Sequence, residues 1–373
     1  MDTLIDDVRR SLVLLDGGLG TALENELGNT VSQSALWSAQ PIAESPDAIL
    51  EAHQAFLDSG AGVISTSTYQ CSSATFERSG YNDVDARKLM RKAVALAKEA
   101  VHTHQMSRKG IRAAVALSLG PFGATLCPTQ EFGGFYPPPY GPKEFVQDGE
   151  NNNAFPDVAD DQQAIHALAN FHYDRLSVFA LHKETWDAID CIAFETIPLS
   201  REIIAIRYAI AWLFKGESVA GKPWWISCVF PEGTSPDPTQ AAHRPECKVA
   251  SLLEAAFGEG RVESPPVPNG FGINCTAIKH VSKLATEVLE YYQANFRDEN
   301  NVPQLVLYPN GHHTFDKSIG GWKQTTDKFS WAQEFYQVLD TIMKKKRPMK
   351  LLVGGCCKVS REEIRELCQL LKI

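Results

Sequence analysis

Cys191-Ile192-Ala193-Phe194-Glu195-Thr196 is a short, continuously apolar run that ends in a carboxylate; Ile197-Pro198 breaks it, and Arg201–Phe214 then takes up a helical pattern. A strand that does not alternate is covered on both faces, as in a parallel sheet flanked by helices. The same couplet recurs along the chain. Apolar runs lie at Leu12–Leu15, Gly62–Tyr69, Ile111–Leu119, Cys191–Thr196, Trp224–Phe230, Phe271–Asn274, Gln304–Tyr308 and Lys350–Val353, eight in all. Between them, Asp47–Ser59, Asp83–Thr103, Ala159–Asp187, Arg201–Phe214, Lys248–Phe257, Ala277–Asn295 and Ser330–Lys344 read as helices. A last helix opens at Ser360 with Glu363 three residues on, a capping box. This rhythm predicts an α/β fold, a single (β/α)8 TIM barrel occupying residues 1–373. The extra length collects in Pro-rich insertions at about 127–157 and 231–268. Both begin near strand C-terminal ends, so they are expected to decorate the face where such barrels do their chemistry.

The charge balance excludes some functions. Against 45 Asp and Glu stand 36 Lys and Arg, a net charge of −9, the wrong sign for a protein that binds nucleic acid through its bulk field. No window approaches the ~18 uninterrupted apolar residues of a membrane span. Met1–Arg10, with Asp2, Asp6, Asp7, Arg9 and Arg10, lacks the apolar run of a signal peptide. A soluble, cytoplasmic protein with no membrane partner is expected; the oligomeric state is not legible. Lys344-Lys345-Lys346-Arg347 reads as a solvated helix end that favours cations, with a nuclear address as the alternative.

The chain has nine cysteines. Cys71, Cys127, Cys191, Cys228, Cys247 and Cys368 are isolated and read as small buried hydrophobes. Cys275 and the pair Cys356-Cys357 differ, because each follows a strand: Gly272-Ile273-Asn274-Cys275 ends one, and Gly354-Gly355-Cys356-Cys357 ends another. Strand ends of a barrel converge, so the three sulfurs can meet. Three thiolates with an open fourth position make a catalytic zinc site rather than a closed structural one. Its thiolate-rich charge suits a substrate thiol held deprotonated yet nucleophilic. A zinc hydrolase would prefer His and carboxylate ligands; His312-His313 is the only candidate, and adjacent residues of an extended segment point apart.

Seven segments in order resemble the homocysteine S-methyltransferase family: Asp16-Gly17-Gly18; Ser59-Gly60-Ala61 leading into Ser65–Tyr69; Gly120-Pro121-Phe122-Gly123-Ala124; Phe194-Glu195-Thr196-Ile197-Pro198; Gly272-Ile273-Asn274-Cys275; Tyr308-Pro309-Asn310; and Gly354-Gly355-Cys356-Cys357. The resemblance implies that Cys275, Cys356 and Cys357 ligate Zn²⁺ and that homocysteine enters through its sulfur. Asp16 and Glu195 would meet its α-ammonium group. Asn274 would orient the site, and Tyr69 would face the metal when substrate is absent. The segments around Leu36-Trp37-Ser38-Ala39 and Glu131–Tyr136 resemble the branch using S-methylmethionine or S-adenosylmethionine, and Trp37 is a candidate partner for the cationic sulfonium. Where a betaine-using branch carries an aromatic residue after the glutamate, this chain has Thr196. The expected reaction is transfer of a methyl group from a sulfonium donor to homocysteine thiolate, giving methionine. The rivals are a betaine- or selenocysteine-using relative with the same site, and a thiol-rich barrel that stores zinc without turnover.

Overall fold

In the computed structural model of the chain, the described residues are 12–27, 36, 39–107, 112–216, 219–238, 249–258, 265–298, 301–316, 321–324, 329–344 and 350–373. Seven strands come first: β1 (Leu12–Leu14), β2 (Val63–Ser65), β3 (Ala114–Leu119), β4 (Cys191–Ile197), β5 (Trp224–Cys228), β6 (Gly270–Asn274) and β7 (Gln304–Tyr308). A short antiparallel hairpin, β8 (His313–Asp316) and β9 (Gly321–Gln324), interrupts the series before β10 (Leu351–Val353). β1 to β7 and β10 form one parallel sheet in the order β1-β10-β7-β6-β5-β4-β3-β2. A parallel bridge between Leu15 and Val63 joins the two edges and closes the ring. The Asp16 amide adds a 3.0 Å bond to the Val63 carbonyl at the same seam. The fold is the (β/α)8 barrel.

Alternate strand residues fill the barrel's interior. Val13, Leu15, Val63, Ala114, Ala116, Cys191, Ala193, Trp225, Val306, Tyr308 and Leu352 pack together there, all buried. The small residues of β3 and β4 leave the volume that Trp225 occupies, which is how a closed barrel becomes a packed core rather than a pore. The other strand face packs under the helices. These are α1 (Leu19–Leu27), α2 (Pro41–Glu44), α3 (Pro46–Asp58), α4 (Ser73–Arg78), α5 (Asp83–Ser107), α6 (Val158–Ala180), α7 (Lys183–Ala188), α8 (Ser200–Gly216), α9 (Ala250–Phe257), α10 (Ile278–Asn295), α11 (Trp331–Met343) and α12 (Arg361–Leu371).

The expected helix Ala159–Asp187 is two helices. α6 stops at Ala180, and His182 turns extended (ψ 99°) to cap α7, its ring accepting from the Thr185 amide. The capping box of α12 forms as read: the Ser360 hydroxyl accepts from the Glu363 amide, and the Glu363 carboxylate accepts from the Ser360 amide at 2.6 Å. α1, α2, α4 and the hairpin have no counterpart among the elements expected from sequence. The two insertions meet where they are described, Asn153 donating to the Gly133 carbonyl at 2.8 Å and to the Pro236 carbonyl at 2.9 Å. Lys345, Lys346 and Arg347 lie outside the described residues, as do Met1–Arg10 and Cys247. Among the described residues no helix is long and apolar enough to cross a membrane.

Gly60, in the turn from α3 into β2, has φ +104°, and a Cβ there would stand 2.4 Å from the Cys368 sulfur of α12. Gly80 has φ +88° with nothing within 4 Å. Gly80→Ala should therefore cost only the left-handed penalty, about 1 kcal/mol, and Gly60→Ala about 2–3 kcal/mol because overlap is added. Urea unfolding of the two variants checks this; equal losses would mean that α12 yields freely at the turn.

Candidate active site

The C-terminal ends of the barrel strands carry the site. Asp16 follows β1, Glu195 and Thr196 lie in the last turn of β4, Asn274 ends β6 with Cys275 next, and Cys356-Cys357 follow β10. The sulfurs of Cys275, Cys356 and Cys357 all lie within 4.8 Å of one another, the one such cluster of potential metal ligands among the described residues. Cys275 and Cys356 face each other at disulfide contact, Cα atoms 5.5 Å apart. The Cys357 sulfur stands 4.0 Å from that of Cys275.

The donor set fits zinc. Zn–S bonds of about 2.3 Å in a tetrahedral site put neighbouring sulfurs about 3.8 Å apart, close to the Cys275–Cys357 separation; Cys275 and Cys356 can both ligate once the contact between them is reduced to two thiolates. Two side chains already turn donors toward these sulfurs. The Thr196 hydroxyl points at Cys275 Sγ at 3.7 Å, and Asn274 Nδ2 at Cys356 Sγ at 3.8 Å. Donors aimed at sulfur favour its anionic form. Without a cation the Cys357 thiol stays protonated, pushed up to about 12 by burial and then by the charge of Glu131.

Thr196 and Cys275 both sit at positive φ, +62° and +47°. For a β-branched threonine this is a costly backbone state. A reciprocal pair holds it: the Thr196 amide donates to Asn274 Oδ1 at 2.9 Å, and Asn274 Nδ2 donates to Thr196 Oγ1 at 2.8 Å. The pair spans from β4 to β6 across the mouth, skipping β5.

Asp16 is buried and Glu195 half-buried. Asp16 is 3% exposed; it accepts from the Ser65 amide at 2.7 Å and the Ser65 hydroxyl at 3.1 Å. Burial raises its pKa to about 7, against the Ser65 bonds and with the help of Glu195's charge. Glu195 accepts from the Ser118 hydroxyl and the Tyr308 phenol, and burial raises its pKa too. Among the described residues neither makes an ion pair. Two such groups within electrostatic reach of each other are suited to hold one cation between them.

Tyr69 stands over the same mouth. Its phenol bonds Thr196, and its carbonyl accepts from the Gly120 amide at 2.9 Å and Arg175 Nη2 at 3.0 Å. Of the residues singled out from sequence, Asp16, Tyr69, Glu195, Asn274, Cys275, Cys356 and Cys357 are thus brought to one mouth. Trp37 lies outside the described residues. His312 is engaged by Glu334 at 2.8 Å. Sequence reading overlooked Ser65, Ser118, Thr196 and Tyr308 as site groups. All four occupy strand-end positions in the register that delivers Asp16 and Glu195, and that register was the available signal.

Comparison with known proteins adds the following. The sequence model described as homocysteine S-methyltransferase matches residues 13–371. Homocysteine S-methyltransferase 4 of Zea mays is 28% identical over 368 residues, covering 96% of this chain and 89% of that protein. A selenocysteine Se-methyltransferase of Brassica oleracea var. italica is 27% identical over 366 residues, covering 95% and 87%. Among solved structures, the metallated form of the homocysteine methyltransferase MmuM from Escherichia coli superposes with a TM-score of 0.66 at 23% identity, covering 96% of each chain. At that identity the likeness shows a shared fold.

The raised pKa of Asp16 fixes the sign of a pH effect. Between about pH 4 and about pH 7 the unfolded chain releases this proton while the folded chain keeps it, so the group's contribution to stability falls as pH rises through that window. Asp16→Asn removes the dependence. In urea unfolding without ligand, the variant should gain on the parent as pH goes from about 5 to about 8. A gap that does not change with pH would show that Asp16 titrates normally.

Proposed function

We infer the reaction from one premise: the chain belongs to the homocysteine S-methyltransferase family. It is a methyltransferase whose family acts on homocysteine. We propose that it uses zinc and a sulfonium donor, S-methylmethionine or S-adenosylmethionine, and that it releases methionine. The observation carrying this reading is the gathering of three cysteine sulfurs within 4.8 Å at the strand ends that also carry Asp16 and Glu195, whose carboxyl groups are both raised in pKa by burial.

Cys275, Cys356 and Cys357 would hold the ion. When bound, zinc would keep the substrate thiol deprotonated at neutral pH. Asp16 and Glu195 would take the α-ammonium group between them and so align the sulfur. Thr196 and Asn274 keep their donors on the cysteine sulfurs and steady the negative charge there. The methyl carbon leaves the sulfonium, whose bonding pair stays behind on a neutral thioether, and bonds to the homocysteine sulfur; the thiol proton has already gone to solvent. A donor whose leaving group is neutral needs no further carrier.

Thr196 supports the sulfonium branch over betaine. Its side chain is committed to Asn274, Tyr69 and Cys275, so this position offers no aromatic face to a quaternary ammonium. The Brassica relative favours selenocysteine as a second acceptor, since it presents the same α-ammonium handle behind a softer nucleophile.

Reduced, zinc-loaded protein incubated with homocysteine and each donor should form methionine from S-methylmethionine, from S-adenosylmethionine at a similar or lower rate, and poorly from betaine. Turnover with betaine alone would overturn the donor assignment. The protein should carry one zinc per chain, and Cys356→Ser should lose both zinc and turnover while its circular dichroism is kept. Zinc retained at full stoichiometry in a variant lacking all three cysteines would remove the metal site.

Glu195→Gln tests the ammonium role. A charge-assisted bond of roughly 1.5–3 kcal/mol corresponds to homocysteine affinity lower by about one to two orders of magnitude, with zinc retained. A thiol lacking the amino group should bind parent and variant alike. Zinc loss, or an equal penalty on both thiols, would make Glu195 a support of the metal instead.

A further inference from the structure

We propose that Arg175 is a positioning residue of this reaction: its guanidinium grips the carbonyls of Tyr69 and Gly120, seats the Tyr69 ring at the mouth, and through the phenol directs the Thr196 hydroxyl at the Cys275 sulfur. The inference rests on the homocysteine reading above.

Arg175 occupies a place where a guanidinium is out of pattern. The buried stripe of α6 runs through Ile165, Leu168, His172, Arg175, Leu176 and Phe179, so the charge sits at a core position of an apolar helix face. Arg175 is 3% exposed and lies over the Phe171 ring, 5.1 Å from its centroid. Burial pulls its pKa down to about 10, so it is cationic at neutral pH. A buried cation is ordinarily paired with a carboxylate. Among the described residues Arg175 makes no ion pair; Glu202, whose charge reaches it, is bonded to Phe122, Tyr136 and His172 instead. Its Nε is shut off from solvent without a partner.

What the guanidinium holds is backbone at the mouth. Nη1 donates to the Gly120 carbonyl at 2.7 Å and Nη2 to the Tyr69 carbonyl at 3.0 Å. Gly120 is the first residue after β3, and Tyr69 lies four residues past β2. The Gly120 amide donates to the same Tyr69 carbonyl at 2.9 Å, so both lone pairs of that oxygen are taken. The Tyr69 ring rests against the Gly120 backbone: a Cβ on Gly120 would stand 2.7 Å from Tyr69 Cε2 and 2.9 Å from Cζ. The fork thus locks the two residues whose contact decides where the ring lies.

The phenol at the end of that ring meets Thr196. A hydroxyl has one hydrogen and two lone pairs. The Thr196 hydrogen points at Cys275 Sγ, 3.7 Å away, and Asn274 Nδ2 occupies one lone pair at 2.8 Å. The phenol must then donate to the other. With Asn274 alone, the hydroxyl is free to turn its hydrogen away from the sulfur; the phenol closes that alternative. Arg175 stands at the start of this line.

Arg175→Met removes the fork and keeps an unbranched stem. With homocysteine and the sulfonium donor that the parent accepts, kcat should fall about 10- to 100-fold, the range of a misplaced reacting group. KM for homocysteine should stay within about threefold, because the bonds of Asp16 and Glu195 run to Ser65, Ser118 and Tyr308. Arg175→Lys keeps the buried charge but reaches one carbonyl rather than two, so it should recover part of the loss; it also serves where Arg175→Met fails to fold. In a Tyr69→Phe background either change should cost less than about threefold, since no phenol remains to be placed.

A second readout needs neither metal nor turnover. In reduced, metal-free protein carrying 3-fluorotyrosine at its ten tyrosines, Tyr69→Phe identifies the Tyr69 fluorine resonance by its loss. Arg175→Lys should shift that resonance and leave those of Tyr291 and Tyr292 in α10 in place.

An unmoved Tyr69 resonance overturns the inference. So does a shift spread equally over all the tyrosines, or an equal loss of kcat with and without the phenol, either of which makes Arg175 a support of the fold alone. A loss carried by KM alone would overturn it as well, and the homocysteine reading stands in each of these cases. If the parent forms no methionine from homocysteine with any donor, that reading fails first and takes this one with it.

Discussion

The bond pair between Thr196 and Asn274 is the constraint on which the mouth of the barrel depends. It ties β4 to β6, and it fixes two residues in a backbone region that side chains avoid. A left-handed state costs each of them about 1–2 kcal/mol. Two buried hydrogen bonds, each leaving a desolvated partner behind if broken, offset a cost of that size. The geometry gained is specific. The left-handed turn at Thr196 follows Glu195, and the one at Cys275 follows Asn274. Each turn sets an acid or a sulfur at the mouth, and the clamp keeps the donors of Thr196 and Asn274 aimed at the cysteines.

Closure of the ring supplies the other half of that geometry. Asp16 reaches the mouth because β1 is held between β10 and β2, and Ser65, which positions the Asp16 carboxylate, ends β2. Gly354 explains how tightly the seam is drawn. A Cβ there would sit 2.5 Å from the Leu15 Cβ and 2.7 Å from the Asp16 carbonyl, so only a glycine lets β10 run against β1 just before the two cysteines. The glycines beside Cys356 thus serve the approach of two backbones.

The strand ends were legible in the sequence because parallel barrel strands are apolar on both faces and stop abruptly at a polar residue, as Phe194-Glu195 and Ile273-Asn274 do. That rule placed the cysteines and both acids at one end of one barrel. It did not show what Thr196 does. Read against an aromatic in a related branch, Thr196 was only the absence of a ring; its hydroxyl acquires a partner through a register between two strands that are not neighbours. The turn around Glu131 was harder still: it lies in a Pro- and Gly-rich segment with no periodicity, and it is held through Gln130 by Gly123 and through Gly133 by Asn153, distant in sequence or hidden in a turn. The break between α6 and α7 escaped for a related reason, since Leu181-His182 satisfies a helical pattern while the His182 backbone turns extended to cap the next helix.

The long connection that carries Glu131 owes its order to a second carboxylate, far from any sulfur. Glu202, at the start of α8, is fully buried. It accepts from the Phe122 amide at 2.6 Å, the Tyr136 phenol at 2.7 Å and His172 Nε2 at 3.0 Å. For His172, burial outweighs the pull of Glu202 and lowers its pKa, so the ring is neutral and donates through Nε2 while Nδ1 goes without a partner. Three donors converging on one acid satisfy it without a full counter-charge, which is why Glu202 can be buried at a fixed place. Phe122 and Tyr136 bracket the turn at Glu131, and both are pinned to α8, whose first residues follow β4. The strand that delivers Glu195 to the mouth therefore also anchors, through α8 and Glu202, the long connection between β3 and α6.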